Sequence, residues 1–443
     1  MTYDETLNYM FASLPMYHRI GAAAYKADIK PTVAFMAQLG NPERRFRCIH
    51  VAGTNGKGSV SHFLASTLQE AGYKVGLYTS PHLVDFRERI RVNGSMITRD
   101  AVVDFVEQHR EAMEQLQLSF FEMTVGLAFD YFARSAVDVA VVEVGMGGRL
   151  DSTNVVHPDL SIITNIGMDH TQFLGITLPE IAREKAGIIK DEVPVVIGET
   201  QGETEPVFRA AAAAHHAPIS FADQKWNLQV VGATVDGLDV AICSATGATT
   251  EQFHSPLAGA YQRKNLITVR EAVEVLRTNR LFDISDTALR NGIARVQSNT
   301  HLRGRWQVIG QKPLTICETA HNADGVEAML ERIGEMRGSF KKLRIVYGCV
   351  SDKDCGKILS LIEERLHQWG VDAEWYFTQP SVQRRMPVER LTEEVAKLHI
   401  MGQKIISPKE ALEMARVDAS PDDLVLVTGS IFLVADVLGQ EES

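Results

Sequence analysis

The residues best equipped for chemistry lie together in Val51-Ala52-Gly53-Thr54-Asn55-Gly56-Lys57-Gly58-Ser59. Gly53, Gly56 and Gly58 let backbone N–H groups close on a ligand, Lys57 brings a full positive charge, and a following helix N-terminus adds a partial one. That combination suits a polyphosphate. The spacing departs from the P-loop pattern, in which four residues separate the first Gly from Gly-Lys and Ser or Thr follows the lysine. Here Val51 stands in the first position, Gly58 follows Lys57 and Ser59 comes one place late, so the magnesium-binding hydroxyl is expected from elsewhere. The plainer alternative is a glycine-rich turn with a solvated lysine.

A second set of reactive side chains follows strand-like runs. Val137 to Val144 is the clearest strand of the chain, and Glu143 sits at its end. A buried carboxylate is costly unless paired or on a metal, so Glu143 is expected to be a magnesium ligand. Gly145 to Asn154 forms a glycine loop in which Arg149 can pair with a carboxylate and Asp151 can accept from a ring amine; an internal Arg-Asp pair is the alternative. Ser80 and His82 end another strand, in Thr79-Ser80-Pro81-His82, which could also be an ordinary turn. His170, in Asn165-Ile166-Gly167-Met168-Asp169-His170, is placed to ligate a metal through neutral imidazole, although magnesium prefers oxygen. In Ser119-Phe120-Phe121-Glu122 the aromatics serve either as core or as a stacking surface for a flat heterocycle. By its own chemistry Lys185 is a helix-surface lysine.

These groups require a scaffold of alternating elements. Cys48 to Ala52 reads as a strand, Ser59 to Ala71 as a helix stopped by Gly72, and Lys74 to Thr79 as the next strand. Helices follow over Asp100 to Gln115 and from Ser119 to about Ala133. Strands are expected at Leu160 to Thr164 and Pro194 to Gly198, with a helix capped by Thr177 between them. This alternation predicts an α/β fold with a doubly wound parallel sheet, ligands lying at the carboxyl ends of its strands. Residues 219 to 255 change to β-branched and polar alternation with glycines, a small appendage of β-hairpins. The polar stretch Val296 to Thr300 reads as a domain boundary. Beyond it a smaller Rossmann-like α/β domain runs through Leu343 to Val346, Lys353 to Trp369, Ala373 to Phe377 and Leu424 to Thr428. The expected domains are 1–297 and 298–443.

The 443 residues suffice for two or three domains, and 45% hydrophobic with 23% charged residues are globular values. A net charge of −11 excludes a general binder of nucleic acid or anionic membrane, yet permits a local basic pocket. No apolar run reaches membrane-helix length and the acidic N-terminus lacks a signal-peptide pattern, so a cytoplasmic location is expected. The five cysteines show no metal-type pairing and are expected as buried thiols.

Gly53-Thr54-Asn55-Gly56-Lys57-Gly58-Ser59 resembles the nucleotide loop of the Mur ligase superfamily. The glycine after the lysine looks like its folate branch, folylpolyglutamate synthase and dihydrofolate synthase. The likeness continues through an ordered series of motifs along nearly the whole chain. It implies an ATP-dependent ligase, working through an acyl phosphate, that adds L-glutamate to dihydropteroate, to reduced folates or to both. It further implies that Gly53, Thr54, Asn55, Gly56, Lys57, Gly58 and Ser59 bind ATP. Asn265 joins them from Leu257-Ala258-Gly259-Ala260-Tyr261-Gln262-Arg263-Lys264-Asn265, where Tyr261 replaces the family's histidine. In the second domain Arg305 would clamp phosphate. Glu318 and His321 correspond to the family's Asp-Gly-Ala-His-Asn-Pro, with Glu318, Thr319 and Ala323 as departures. ATP is expected between the domains.

For the acid substrate the resemblance implies Ser119, Phe121, Glu122, Arg149, Asp151 and Ser152. For magnesium it implies Ser80, Glu143, His170 and Lys185, the lysine carbamylated by CO2 to ligate a second ion, and it allows a monovalent cation such as K+. Catalysis would rest on Lys57, His170, Lys185 and His321, the general base being His321 or the carbamate. Met16 to Ala27, with Tyr17, His18, Arg19, Tyr25 and Lys26, occupies the region of the family's pterin-binding Leu-Gly-Leu segment. Its nearest equivalent, Ala27-Asp28-Ile29, does not match. Gly348, Lys353-Asp354 and Thr428 to Leu433 also resemble family signatures. The partners implied are small molecules, with the chain a monomer. A polyglutamylating enzyme without the synthase activity and a cell-wall Mur ligase are the alternative ligases; Gly58 and Phe121-Glu122 argue against the latter. A non-catalytic nucleotide-binding protein is disfavoured by Lys57, Glu143, His170 and Lys185.

Overall fold

The computed structural model describes residues 1–14, 28–351 and 353–440. The expectations placed on Met16 to Ala27 lie outside the described residues, and so does Ala27 of the Ala27-Asp28-Ile29 segment. The chain divides into two compact units. The first comprises residues 1–233, 237–256 and 262–302. The second comprises 234–236, 257–261 and 303–443.

The first unit is built on an eight-stranded sheet. Its strands in chain order are β1 (Arg47–Ala52), β2 (Val75–Tyr78), β3 (Ile90–Val92), β4 (Ser95–Met96), β5 (Val139–Glu143), β6 (Leu160–Ile163), β7 (Val195–Ile197) and β8 (Ile219–Phe221). They lie in the order β4-β3-β2-β5-β1-β6-β7-β8. From β2 to β8 all neighbours are parallel, while β3 and β4 return antiparallel at one edge. The central strands are buried along their length, as their unbroken apolar runs require of a sheet covered on both faces. The helix Lys57–Glu70 follows β1 and is buried from Ser59 to Leu68. Because the strands are parallel, the residues after β1, β2, β5 and β6 share one edge of the sheet.

Two expectations shift at the end of this unit. Residues 219–221, read as the start of the hairpins, instead extend the main sheet as its last strand. The separate sheet is three-stranded, β9 (Trp226–Thr234), β10 (Gly237–Ser244) and β11 (Thr250–Ser255), in the order β11-β10-β9. Val296–Thr300, read as a boundary, is a short helix seated on the loop helix: His62 Nδ1 lies 2.8 Å from Thr300 Oγ1, and Asn299 Nδ2 donates to Ser66 Oγ at 3.1 Å.

The second unit has a six-stranded sheet of β12 (Gln307–Gln311), β13 (Leu314–Cys317), β14 (Leu343–Tyr347), β15 (Ala373–Phe377), β16 (Gly402–Lys404) and β17 (Leu424–Thr428). The order is β12-β13-β17-β14-β15-β16, parallel except for β12. Met329, Leu330, Ile333, Leu359 and Ile362 pack on Ile345 and Leu426 to form its core. The cysteine expectation is corrected here. Cys48 and Cys317 are buried thiols, but Cys349 and Cys355 form a disulfide, since the helix Cys355–Trp369 folds its first residue back on the loop leaving β14. Among the described residues no helix is long and apolar enough to cross a membrane.

Candidate active site

The loop after β1 is tied down by the residues that follow β6. Thr54 N donates to Asn165 O at 2.9 Å, and Asn55 N to Asn165 Oδ1 at 2.8 Å. Gly167 N donates to Thr54 Oγ1 at 2.9 Å, and Thr164 Oγ1 to Asn55 O. A Cβ on Gly53 would fall 1.8 Å from Thr164 Oγ1, and one on Gly56 2.3 Å from Asn265 Oδ1. Gly56 has φ +86°, so glycine is required there on both counts. Lys57 to Ser59 form the first helical turn, whose N–H groups have no acceptor within the helix, the arrangement that suits an anion.

Two lysines converge on one carbonyl of this loop. Lys57 Nζ donates to Gly53 O at 3.1 Å and to Thr54 O at 3.2 Å, and Lys185 Nζ donates to Gly53 O at 2.8 Å. Lys185 is buried, not a surface lysine. Burial, and then repulsion from Lys57, pull its amine down to about 7, with Asp169 and Asp151 opposing. The helix Leu178–Ala186, capped by Thr177 as expected, delivers it.

Glu143 ends β5 nearly buried, and a Cβ on Gly58 would lie 3.7 Å from its Oε1. Its Oε2 accepts from Ser80 N at 3.0 Å, just before the cis Ser80–Pro81 bond. Glu143, Ser80 and the start of the loop helix therefore meet. His82 has another occupation: its Nδ1 accepts from Arg89 Nε at 2.7 Å, and burial and that guanidinium hold the imidazole neutral. His170 adopts φ +50°, a left-handed conformation uncommon outside glycine, and its N–H donates to Asp169 Oδ1 at 2.9 Å.

The expected acid-substrate residues divide. Phe121 lies against Gly145, where a Cβ would come within 2.3 Å of the ring, and the same Cβ would stand 3.1 Å from Asp151 Oδ2. A flat ring and a carboxylate thus flank one glycine. Asp151 is buried and accepts from Met146 N at 2.9 Å and Thr153 N at 3.0 Å, while burial raises its pKa against those bonds. Ser152 is buried in the turn that Asp151 caps. Ser119 and Glu122 bond to each other: Ser119 N donates to Glu122 Oε2 at 2.6 Å and Glu122 N to Ser119 Oγ at 3.3 Å. This is a capping box, legible in Ser-x-x-Glu, at the start of the helix that carries Phe121. Arg149 pairs with Glu184 at 2.9 Å, so the internal pair exists with a partner other than Asp151.

Asn265 and Ser59 are likewise engaged beneath the loop. Asn265 Nδ2 donates to Gln262 Oε1 at 2.8 Å, and Gln262 Nε2 to Ser59 Oγ at 3.1 Å. Sequence reading missed Gln262, Thr164 and also Gln201, whose amide grips Ile166 N and O at 3.2 and 2.8 Å. Thr164 and Gln201 carry no spacing signal, whereas Gln262 stands in the Leu257 to Asn265 motif, where it was given no role.

Within the second unit, Glu318 is buried and accepts from Tyr261 Oη at 2.7 Å and Trp306 N at 2.9 Å. Burial raises its carboxyl while Arg305 and these donors oppose. The expected ribose contact is therefore held inside the unit. Arg305 Nη1 donates to the Thr319 hydroxyl. His321 Nδ1 lies 2.9 Å from Thr319 O, so it must donate, and neutral His321 carries its lone pair on Nε2. Tyr261, Glu318 and Thr319, three departures from the family pattern, thus take part in these linked contacts.

The chain is similar to known proteins along nearly its whole length. A family model described as the Mur ligase middle domain matches residues 51–273, and one described as the Mur ligase glutamate ligase domain matches 304–431. A Bacillus subtilis protein named dihydrofolate synthase/folylpolyglutamate synthase is 35% identical over 425 residues, covering 93% of this chain and 95% of its own. The folylpolyglutamate synthase of Lacticaseibacillus casei is 31% identical over 447 residues, covering 99% and 98%. The structure of E. coli FolC in complex with DHPP and ADP superposes with a TM-score of 0.84 at 31% identity, covering 100% of this chain and 98% of that one.

Proposed function

The chain belongs to the Mur ligase family, in its dihydrofolate synthase/folylpolyglutamate synthase branch, and from that premise we propose how its own residues divide the work. It is an ATP-dependent ligase that joins L-glutamate to a pteroate-type carboxylate. The reading adopted is that it accepts both dihydropteroate and reduced folates.

The observation that carries the assignment is the meeting of Lys57 and Lys185 on the Gly53 carbonyl, in a loop whose helix start faces Glu143. Ligation brings a carboxylate against a triphosphate, and these groups offset the repulsion of the two anions. The substrate carboxylate attacks the γ-phosphorus, ADP leaves, and an acyl phosphate results; the glutamate amine then displaces phosphate. Lys57 and the N–H groups of the first helical turn hold the transferring phosphoryl oxygens. Phe121 and Asp151 receive the heterocycle, by stacking and by accepting N–H groups.

The donor set at the strand ends, the Glu143 carboxylate and the Ser80 hydroxyl, is the hard-oxygen type that Mg2+ takes, with His170 the less usual member. Those residues would hold the ion, which when bound neutralises phosphate charge. An amine brought to about 7 is partly uncharged at neutral pH, so Lys185 can attack CO2 with its lone pair and lose a proton, giving a carbamate. Lys185→Ala should then keep ATP binding while turnover collapses, with partial rescue by short carboxylic acids; full activity would overturn the carbamate. The likeness also implies K+, read by exchanging it for Na+ in the assay. The chain is further read as a cytoplasmic monomer that acts on small molecules.

The deciding measurement is ATP-dependent incorporation of labelled glutamate, with dihydropteroate and tetrahydrofolate offered separately. Activity with both supports the bifunctional reading. Activity with tetrahydrofolate alone would make the chain a polyglutamylating enzyme only, and activity with neither would overturn the substrate assignment.

A further inference from the structure

Strand β1 is apolar along its buried part except at His50. The side chain is fully enclosed, between neighbours Val142 of β5 and Ser161 of β6. An imidazole is an expensive occupant of such a position unless its polar atoms are used. One of them is: Nε2 lies 2.9 Å from Thr153 Oγ1. The other, Nδ1, has no hydrogen-bond partner among the described residues. An aliphatic residue would pack there at less cost, so the single bond His50 makes is what distinguishes it.

The direction of that bond follows from its neighbour. Thr153 Oγ1 donates to Asp151 Oδ1, and Thr153 N donates to the same oxygen at 3.0 Å. Asp151 Oδ2 accepts from Met146 N at 2.9 Å. A carboxylate surrounded by donors is an acceptor only. Thr153 has one hydroxyl proton, and Asp151 takes it. His50 must therefore donate, which fixes its tautomer as Nε2–H with the lone pair on Nδ1.

We propose that His50 and Thr153 are positioning residues of the ligation site. The relay His50 Nε2–H to Thr153 Oγ–H to Asp151 Oδ1 anchors the Asp151 carboxylate to the interior of the sheet, in the orientation that receives the N–H groups of the substrate's heterocycle. The inference rests on the assignment of Asp151 to the acid substrate made above. It adds what the short loop Gly145 to Asp151 lacks, a fixed point on the strand that also leads into the phosphate loop. The loop's backbone N–H groups hold Asp151 near Gly145; the hydroxyl sets which way its oxygens turn.

The test has a spectroscopic and a kinetic arm on the full-length protein. With 15N-labelled histidine, His50 is expected as a neutral ring protonated on Nε2; a ring protonated on Nδ1 would reverse the donor order and overturn the relay. Thr153→Val is expected to raise KM for dihydropteroate about tenfold, leaving KM for ATP unchanged, while Thr153→Ser restores it. Equal loss toward ATP and acid substrate, or no loss in either, would mean a structural role alone and overturn the proposal. His50→Gln, which keeps a donor, should outperform His50→Phe in the same KM. Asp151→Asn separates the two readings. An unchanged acid-substrate KM in that variant would overturn the assignment of Asp151 and the purpose of the relay with it. A raised KM there, with wild-type KM in T153V, would overturn the relay alone.

Discussion

Lys185 and Gly53, 132 residues apart in the chain, meet at 2.8 Å, where the amine donates to a carbonyl that Lys57 also engages. One backbone oxygen thus serves two cations, one of them buried. Burial, and then the charge of Lys57, raise the cost of charging Lys185.

The first consequence is a pH dependence of stability. Lys185 titrates at about 7 in the folded chain against 10.5 when unfolded. Between those values the unfolded state binds more protons, so stability rises with pH; below 7 the full penalty of the buried ammonium applies. The slope contributed approaches about 1.4 kcal/mol per pH unit. Denaturant unfolding at pH 7 and pH 9 should show this gain in the wild type, and its loss in Lys185→Met. An equal gain in both would assign it to other groups.

Lys57→Met should raise the pKa of Lys185, because Lys57 is the second cause of its depression after burial. Lysine-selective NMR of the variant reads this without any turnover. ATP affinity should fall in the same protein.

Gly56→Ala should abolish activity by at least about a hundredfold, since its Cβ would meet Asn265 Oδ1 at 2.3 Å and the backbone is left-handed. Gly72→Ala is the matched control. Gly72 has φ +91° but open space around it, so the change should cost about 1–2 kcal/mol of stability and leave kcat unaltered. Equal activity in the two variants would show that the contact with Asn265 is dispensable.

Phe121→Ala should raise KM for the pteridine acid about tenfold, through lost stacking and burial, with KM for ATP unchanged. A parallel rise for ATP would place the ring in a purely structural role.

How far the sequence reaches is visible in particular residues. The phosphate loop, β5 ending at Glu143 and the Thr177 cap were legible because each is a local pattern of glycines, apolar runs or cap residues. The capping box of Ser119 and Glu122 is equally local, a Ser-x-x-Glu pattern at a helix start. Arg149 with Glu184 and the addition of β8 to the main sheet depend on how distant segments fold together, which no spacing encodes; Cys349 and Cys355 are only six residues apart, but their pairing depends on the local path from β14 into the next helix. His50 was hidden for the opposite reason. Inside an apolar strand it looks like one more core residue until its partner Thr153 is seen.

Tyr261 belongs to the second unit although the chain reaches that unit's main body only at Arg303. Its hydroxyl supplies a donor to Glu318, deep in β13's loop. A gene cut at the apparent border, or a graft of residues 303–443 onto a relative, would leave that carboxylate short of a donor and buried. Modular exchange among such ligases must therefore carry the pentapeptide 257–261 along with the piece it serves, so the unit of inheritance here is not a contiguous stretch of sequence.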